Sequence, residues 1–178
     1  MTNNERYPGN DIHDTAIIAE GVKIGVKNII GPYCIIGNFA EWKGHEKSGS
    51  VIIGDGNVFT GLVTIDSGTL SNTFVGSGCY FMKHSHVGHD CKIISDVTLS
   101  CGAKVGGHTV IYKGANIGLN AVIHQKQAIS EGCMIGMGSV VTRSLMTERY
   151  TTYAGNPAKR IGLNDKHPNY TVFVKQMI

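Results

Sequence analysis

The stretch Val75-Gly76-Ser77-Gly78-Cys79-Tyr80-Phe81-Met82-Lys83-His84-Ser85-His86-Val87-Gly88-His89-Asp90-Cys91-Lys92-Ile93 sets the architecture. A large apolar residue returns at every sixth position: Val75, Phe81, Val87 and Ile93. The beat continues without a miss through Leu99, Val105, Ile111, Ile117, Ile123, Ile129, Ile135 and Val141. Upstream it keeps time through Ile12, Ile18, Ile24, Ile30 and Ile36, and again through Ile53, Phe59 and Ile65. A helix repeats near 3.6 residues and a strand alternates with period 2, so neither accounts for this spacing. A hexapeptide β-helix does: each unit is a short strand plus a corner, and three units close a triangular coil of about eighteen residues. The expected fold is all-β, a parallel β-helix of hexapeptide repeats.

Four residues after many beats sits a smaller inward class, among them Cys34, Cys79, Ser85, Cys91, Ala103, Thr109, Ala115, Ala121, Cys133 and Ser139. A narrow prism would be overpacked by anything larger at its corners. Gly often follows the beat, as at Gly31, Gly88, Gly106 and Gly118, and reads as relief of strain where the chain turns. The beat breaks twice. Glu41 to Ser50, which holds the only Trp (Trp42), and Ser67 to Thr73 fall out of register. In a rigid repeat both must be extruded loops and candidate walls of a binding site, the Trp42 loop foremost. After Val141 the pattern fades. One domain is expected over residues 1-161, followed by a short C-terminal extension, 162-178, in which Thr171-Val172-Phe173-Val174 reads as one more strand.

Composition narrows the classes of function. A formal charge of +3 with scattered Lys and Arg points away from a nucleic-acid partner. The five Cys form no C-x-x-C pair, and four of them fall in the small inward class. They read as reduced core residues of a cytoplasmic protein rather than as disulfides or metal ligands. Neither a signal peptide nor a membrane span is expected, since Met1-Thr2-Asn3-Asn4-Glu5-Arg6 lacks an apolar run.

Periodicity also fixes which residues face each other. Adding eighteen to Gly88-His89-Asp90 gives Gly106-Gly107-His108, and adding it again gives His124-Gln125-Lys126. His89, His108, His124 and Gln125 thereby gather on one edge across three coils. Imidazole titrates near neutrality and accepts a proton from a hydroxyl or amine nucleophile. Gly107, one coil from His89, offers an unobstructed backbone N–H for a developing oxyanion in acyl transfer.

These residues carry a resemblance. Met82-Lys83-His84-Ser85-His86-Val87-Gly88-His89-Asp90-Cys91, then Gly107-His108, then Ala121-Val122-Ile123-His124-Gln125 resembles, in type and in ungapped spacing, the active-site series of the UDP-N-acetylglucosamine O-acyltransferases of lipid A synthesis. The resemblance extends to Asn28-Ile29-Ile30-Gly31-Pro32-Tyr33-Cys34 and to Gly155-Asn156-Pro157-Ala158. It implies a homotrimer of left-handed β-helices with sites between subunits, His89 as general base, Asp90 as its partner and Gly107 as oxyanion donor. It further implies that His86, His108, His124 and Gln125 contact the sugar nucleotide or the donor arm. No bound cofactor is implied; acyl-CoA or acyl carrier protein enters as donor substrate.

The sequence also departs from that pattern. The family's His-Arg within V-T-I-H-R-G-T is Asp66-Ser67 here, the Trp42 loop replaces the acceptor-contacting loop, and only seventeen residues follow Ile161. Met137 falls where that family gauges acyl length, and its bulk implies a short acyl group. Tyr153-Ala154-Gly155-Asn156-Pro157-Ala158-Lys159-Arg160-Ile161 is similar to the segment that ends CoA-dependent hexapeptide acetyltransferases, which implies Lys159 and Arg160 at donor phosphates. The expected activity is transfer of a short acyl group to a hydroxyl or amino group of a nucleotide-linked sugar. The alternatives are the lipid A acyltransferase itself, a γ-type zinc carbonic anhydrase using His84, His89 and an out-of-register His45, and a non-catalytic β-helix scaffold. No metal is expected, because zinc needs three protein ligands and an open position. The scaffold gives no reason for the His column.

Overall fold

The computed structural model describes residues 2–43 and 49–176. The chain winds into a β-solenoid of about eight coils. Its short strands, most of two residues, stack into three sheets of nine, seven and six strands, and as far as Val141 each sheet takes every third strand. Strands pair in parallel along the solenoid, with Val87 over Val105 and Ile93 over Ile111. Across the first extruded loop Ile24 pairs with Ile53, and across the second Ile53 pairs with Val75, so each loop lengthens one coil without breaking the ladder.

The beat residues fill the interior. Ile30, Phe59, Phe81, Val87, Leu99, Ile117 and Ile135 are fully buried, and the Phe59 and Phe81 rings stack 4.6 Å apart, 10° from parallel. Burying a Leu or Ile side chain contributes about 1.5–3 kcal/mol, and each beat residue also packs on its equivalent one coil away. The smaller class is equally buried: Cys34, Cys79, Cys91 and Cys133 are free thiols at 0–1% exposure, whereas Cys101 is exposed. Burial pushes the Cys91 thiol up to about 12, so it stays protonated and inert. One corner departs from the apolar expectation: the Asn28 amide donates to Asn10 Oδ1 and the Asn57 amide to Asn28 Oδ1, both at 2.9 Å, and Cys79 N–H closes the ladder on Asn57.

Corners turn through a left-handed residue three positions after the beat, at Gly78, His84, Asp90, Asp96, Gly102, His108, Gly114, Asn120, Lys126, Gly132 and Gly138. Gly, Asn, Asp and His are the residues that tolerate this region best. The Gly directly after the beat answers a different need from the one its position suggests. Gly31 and Gly118 are not left-handed; a Cβ on either would stand 2.7 Å from a backbone carbonyl oxygen of the next coil. They permit close stacking, not turning.

Both ends are covered. A short helix, Asn3–Arg6, begins in a Thr2/Glu5 capping box, and its Asn4 side chain both accepts from Ile12 N–H and donates to the Ile12 carbonyl. At the other end strand Thr151–Gly155 continues the first sheet in parallel, and Ala158–Leu163 folds back antiparallel onto it. That strand runs two residues past position 161. Thr171-Val172-Phe173-Val174 is not a further strand: it lies in a helix, Tyr170–Lys175. The reason is the i, i+3 spacing of Tyr170 and Phe173, which brings both rings to Tyr150 at 6.3 and 4.6 Å. Among the described residues no helix is long and apolar enough to cross a membrane.

Candidate active site

The candidate residues gather on the edge between the second and third sheets. His89 follows strand His86–Val87, and its Nδ1 lies 2.8 Å from Asp90 Oδ2. Asp90 is left-handed at φ 58°, and its side chain is 2% exposed. A carboxylate this deep must have its lone pairs satisfied. The second extruded loop does so: the N–H groups of Thr69, Leu70 and Ser71 and the hydroxyls of Thr69 and Ser71 all donate to it, at 2.7–3.2 Å. Gly68 makes that turn possible, since a Cβ there would stand 1.4 Å from the Ser71 carbonyl oxygen.

Burial pushes the Asp90 carboxyl up, but the hydrogen bonds from His89, Thr69, Ser71 and Leu70 together outweigh it and hold the group well below the usual carboxylate range. An ionised carboxylate only accepts, so the proton between the two residues sits on His89 Nδ1. The lone pair of neutral His89 is thereby fixed on Nε2. Nε2 faces Gly107, where a Cβ would stand 2.7 Å from it. His108, stacked over Asp90, meets the His89 ring edge-on at 4.8 Å and brings its Nε2 to 3.9 Å from Asp90 Oδ2. The Trp42 indole stacks on the His89 ring at 5.9 Å and 14°.

Beside this cluster the second sheet presents a second acid and imidazole. His86 Nδ1 is 2.8 Å from Thr64 Oγ1, and its Nε2 is 3.9 Å from Asp66 Oδ2. Asp66 is 8% exposed. Burial raises its pKa, partly offset by His86, the Glu41 N–H and His89, while the Glu41 carboxylate adds to the rise. The sequence marks both inserted loops and Asp66, but not that Asp66 and Thr64 face His86 or that Thr69–Ser71 cage Asp90, because the inserted loop shifts the coil offset there. Cage donors lie 19 to 21 positions from Asp90 rather than at the regular eighteen. The Ser-Gly-Thr-Leu-Ser run, rich in turn-forming donors, was the available signal.

The structure brings His89, Asp90, Gly107 and His108 together. His124 and Gln125 lie on the same edge one coil beyond Gly107, where His124 Nδ1 faces the Gln125 carbonyl at 2.8 Å. Met137 lies on the neighbouring edge, between the first and second sheets, and is 74% exposed. Lys159 and Arg160 lie in the C-terminal hairpin, where Arg160 pairs with Glu148 at 3.7 Å. Among the described residues the group with metal-ligand spacing is His89, Asp90 and His108, with ligand atoms within 4.8 Å of one another. His84 is not in it, and His45 lies outside the described residues. The Asp90 oxygens are already occupied by the loop donors, which fits a proton-handling pair better than a zinc site.

A repeat solenoid with this His–Asp pair on its edge is the architecture of the left-handed β-helix acyltransferases, to which the chain is similar. Among solved structures it is similar to a UDP-N-acetylglucosamine acyltransferase, 28% identical over 96% of this chain and 74% of the other, with a TM-score of 0.83. It is likewise similar to UDP-N-acetylglucosamine O-acyltransferase from Moraxella catarrhalis, 26% identical over 87% of this chain and 75% of the other, at 0.72. PerB from Caulobacter crescentus, solved with CoA and GDP-perosamine, shares the fold at 19% identity, covering 86% of this chain and 57% of its own, with a TM-score of 0.54. No protein-family model and no curated protein sequence matches the chain.

Proposed function

We propose that the protein transfers a short acyl group from the thioester of CoA or an acyl carrier protein to a hydroxyl or amino group of a nucleotide-linked sugar, with His89 as general base. The observation that carries this is the Asp90-fixed tautomer, which leaves His89 Nε2 as the basic atom at Gly107. The acceptor's O–H or N–H gives its proton to Nε2 as the oxygen or nitrogen attacks the thioester carbonyl. Gly107 N–H stabilises the oxyanion, and the imidazolium returns the proton to the departing thiolate. His86, His108, His124 and Gln125 orient the sugar nucleotide or the donor arm, while Lys159 and Arg160 meet donor phosphates. The working form in this reading is a cytoplasmic homotrimer. A second reading, lipid A-type O-acylation from acyl carrier protein, is favoured by the likeness to UDP-N-acetylglucosamine acyltransferases.

Donor length separates the two readings. Burying a methylene contributes only about 0.8 kcal/mol, whereas overpacking a rigid groove costs about 1–3 kcal/mol, so Met137 excludes long tails if it meets the acyl chain. A panel of acyl-CoA and acyl-carrier donors against UDP- and dTDP-sugars, read by mass spectrometry, is expected to show acetyl or another short donor preferred, and Met137→Gly moving that preference to longer chains. Preference of the wild type for a fourteen-carbon donor would return the chain to the lipid A reaction. Failure of every thioester would end the acyltransferase proposal.

A further inference from the structure

A groove beside His89 bears on which atom of the acceptor is acylated, and the inference rests on the reading of this site as a nucleotide-sugar acyltransferase. Two cavities of about 130 and 380 Å³ lie on the outer surface of the second sheet and share Glu41, Thr64 and His86 as walls. Their charges differ. Asp66 lines only the smaller, and Lys104 and His84 line only the larger. Lys104 Nζ donates to the His84 carbonyl, which holds the ammonium at that end. Ile65 pairs with Val87, so Asp66 lies level with Gly88, the residue before His89. The acidic end of the groove is therefore the end at the base, and the basic end lies toward the neighbouring edge.

We propose that this polarised groove selects an acceptor with a phosphate at the Lys104 end and an amine at the Asp66 end, so that acyl transfer goes to the nitrogen of an amino sugar. A hydroxyl can give a buried carboxylate one hydrogen bond, whereas an ammonium gives the hydrogen bond and also the opposite charge that Asp66 otherwise finds only in part. Burial already raises the Asp66 carboxyl, the state a neighbouring cation relieves. The amine reacts as the neutral base after one proton has left to solvent. Its nitrogen attacks the thioester carbonyl, the C–N bond forms and the C–S bond breaks. The second proton passes through His89 Nε2 to the thiolate, giving an amide and a free thiol.

Trp42, the only Trp in the chain, follows Glu41 and stacks on His89, so its fluorescence reports occupancy of this end without any turnover. UDP-glucosamine and UDP-glucose differ only as amine and hydroxyl at one carbon. By Trp42 titration the amine is expected to bind about tenfold tighter, the scale of one charge-assisted hydrogen bond. Asp66→Asn and the exposed Glu41→Gln should each narrow that gap, and Lys104→Ala should weaken both ligands alike. Equal affinities in the wild type, or a gap intact in both carboxylate variants, would overturn the inference. Turnover with acetyl-CoA distinguishes its failure from that of the parent reading. A His89-dependent reaction that acylates the hydroxyl sugar and ignores the amine sinks the amine inference alone. Asp66-dependent amine binding with no transfer from any thioester sinks the acyltransferase reading, and N-acylation with it, and leaves only the amine preference of the groove.

Discussion

Asp90 carries its charge in a place where an unsatisfied carboxylate would be intolerable, and its stability contribution has a definite pH signature. The unfolded group titrates near 3.9 and the folded one lower, so its stabilisation is complete above about pH 4 and is lost as pH falls below that. Asp90→Asn removes an acceptor from Thr69, Ser71 and His89 and is expected to cost about 2 kcal/mol at pH 7. Thermal melts should show the gap from wild type beginning to narrow below about pH 4 and continuing to narrow as the pH falls towards the lowered native pKa; a gap that stays constant would mean the charge is not what the cage stabilises. Gly107→Ala is the complementary test on the other side of the imidazole. A Cβ there would push His89 off its position, so activity should fall at least about tenfold while the melting temperature moves little. Retention of full activity would remove Gly107 from the site. His89, Gly107 and His108 were legible as a column because their separations are regular. The cage was not, because an insertion displaces Thr69–Ser71 from the coil offset that sequence arithmetic assumes.

At the scale of the element, the repeat uses glycine in two ways that cost differently when lost. Gly31 sits against the Thr60 and Phe59 carbonyls, three backbone atoms lying within 2.9 Å of a Cβ, whereas Gly56 at φ +64° has open space around it. Gly31→Ala must spread two coils and is expected to cost about 3 kcal/mol, against about 1 kcal/mol of backbone strain for Gly56→Ala. Melting temperatures of the two variants measure this directly, and equal losses would contradict the stacking account. The same distinction explains what sequence hid. A run of Gly after apolar residues looks like a run of turns, yet the turning residues are the Asp, His, Asn, Lys and Gly two positions further on. The C-terminal Thr171-Val172-Phe173-Val174 misleads for a related reason: its β-branched residues favour a strand locally, but the partner that decides its shape, Tyr150, is remote in sequence.

The whole molecule is a rigid prism whose two irregular loops meet at the same edge, one gripping Asp90 and the other laying Trp42 over His89. The six-residue period makes the prism and the place of its His column readable; where the loops close is not readable, since extruded segments carry no period. Ile17, Tyr80, Leu119 and Val122 leave apolar surface on the outside of the sheets at 40–62% exposure, which fits closure against further copies of the chain. Light scattering at micromolar concentration is expected to return three times the 19.1 kDa of one chain, and a monomer would contradict the homotrimer. In the proposed reaction His89 moves the proton during acyl transfer. This step is tested most directly by comparing wild type and His89→Ala at saturating thioester and nucleotide sugar, with acceptor binding followed in parallel by Trp42 fluorescence. The account predicts a loss on the order of 10² to 10⁴ in kcat with binding retained; near-full turnover by His89→Ala would contradict it.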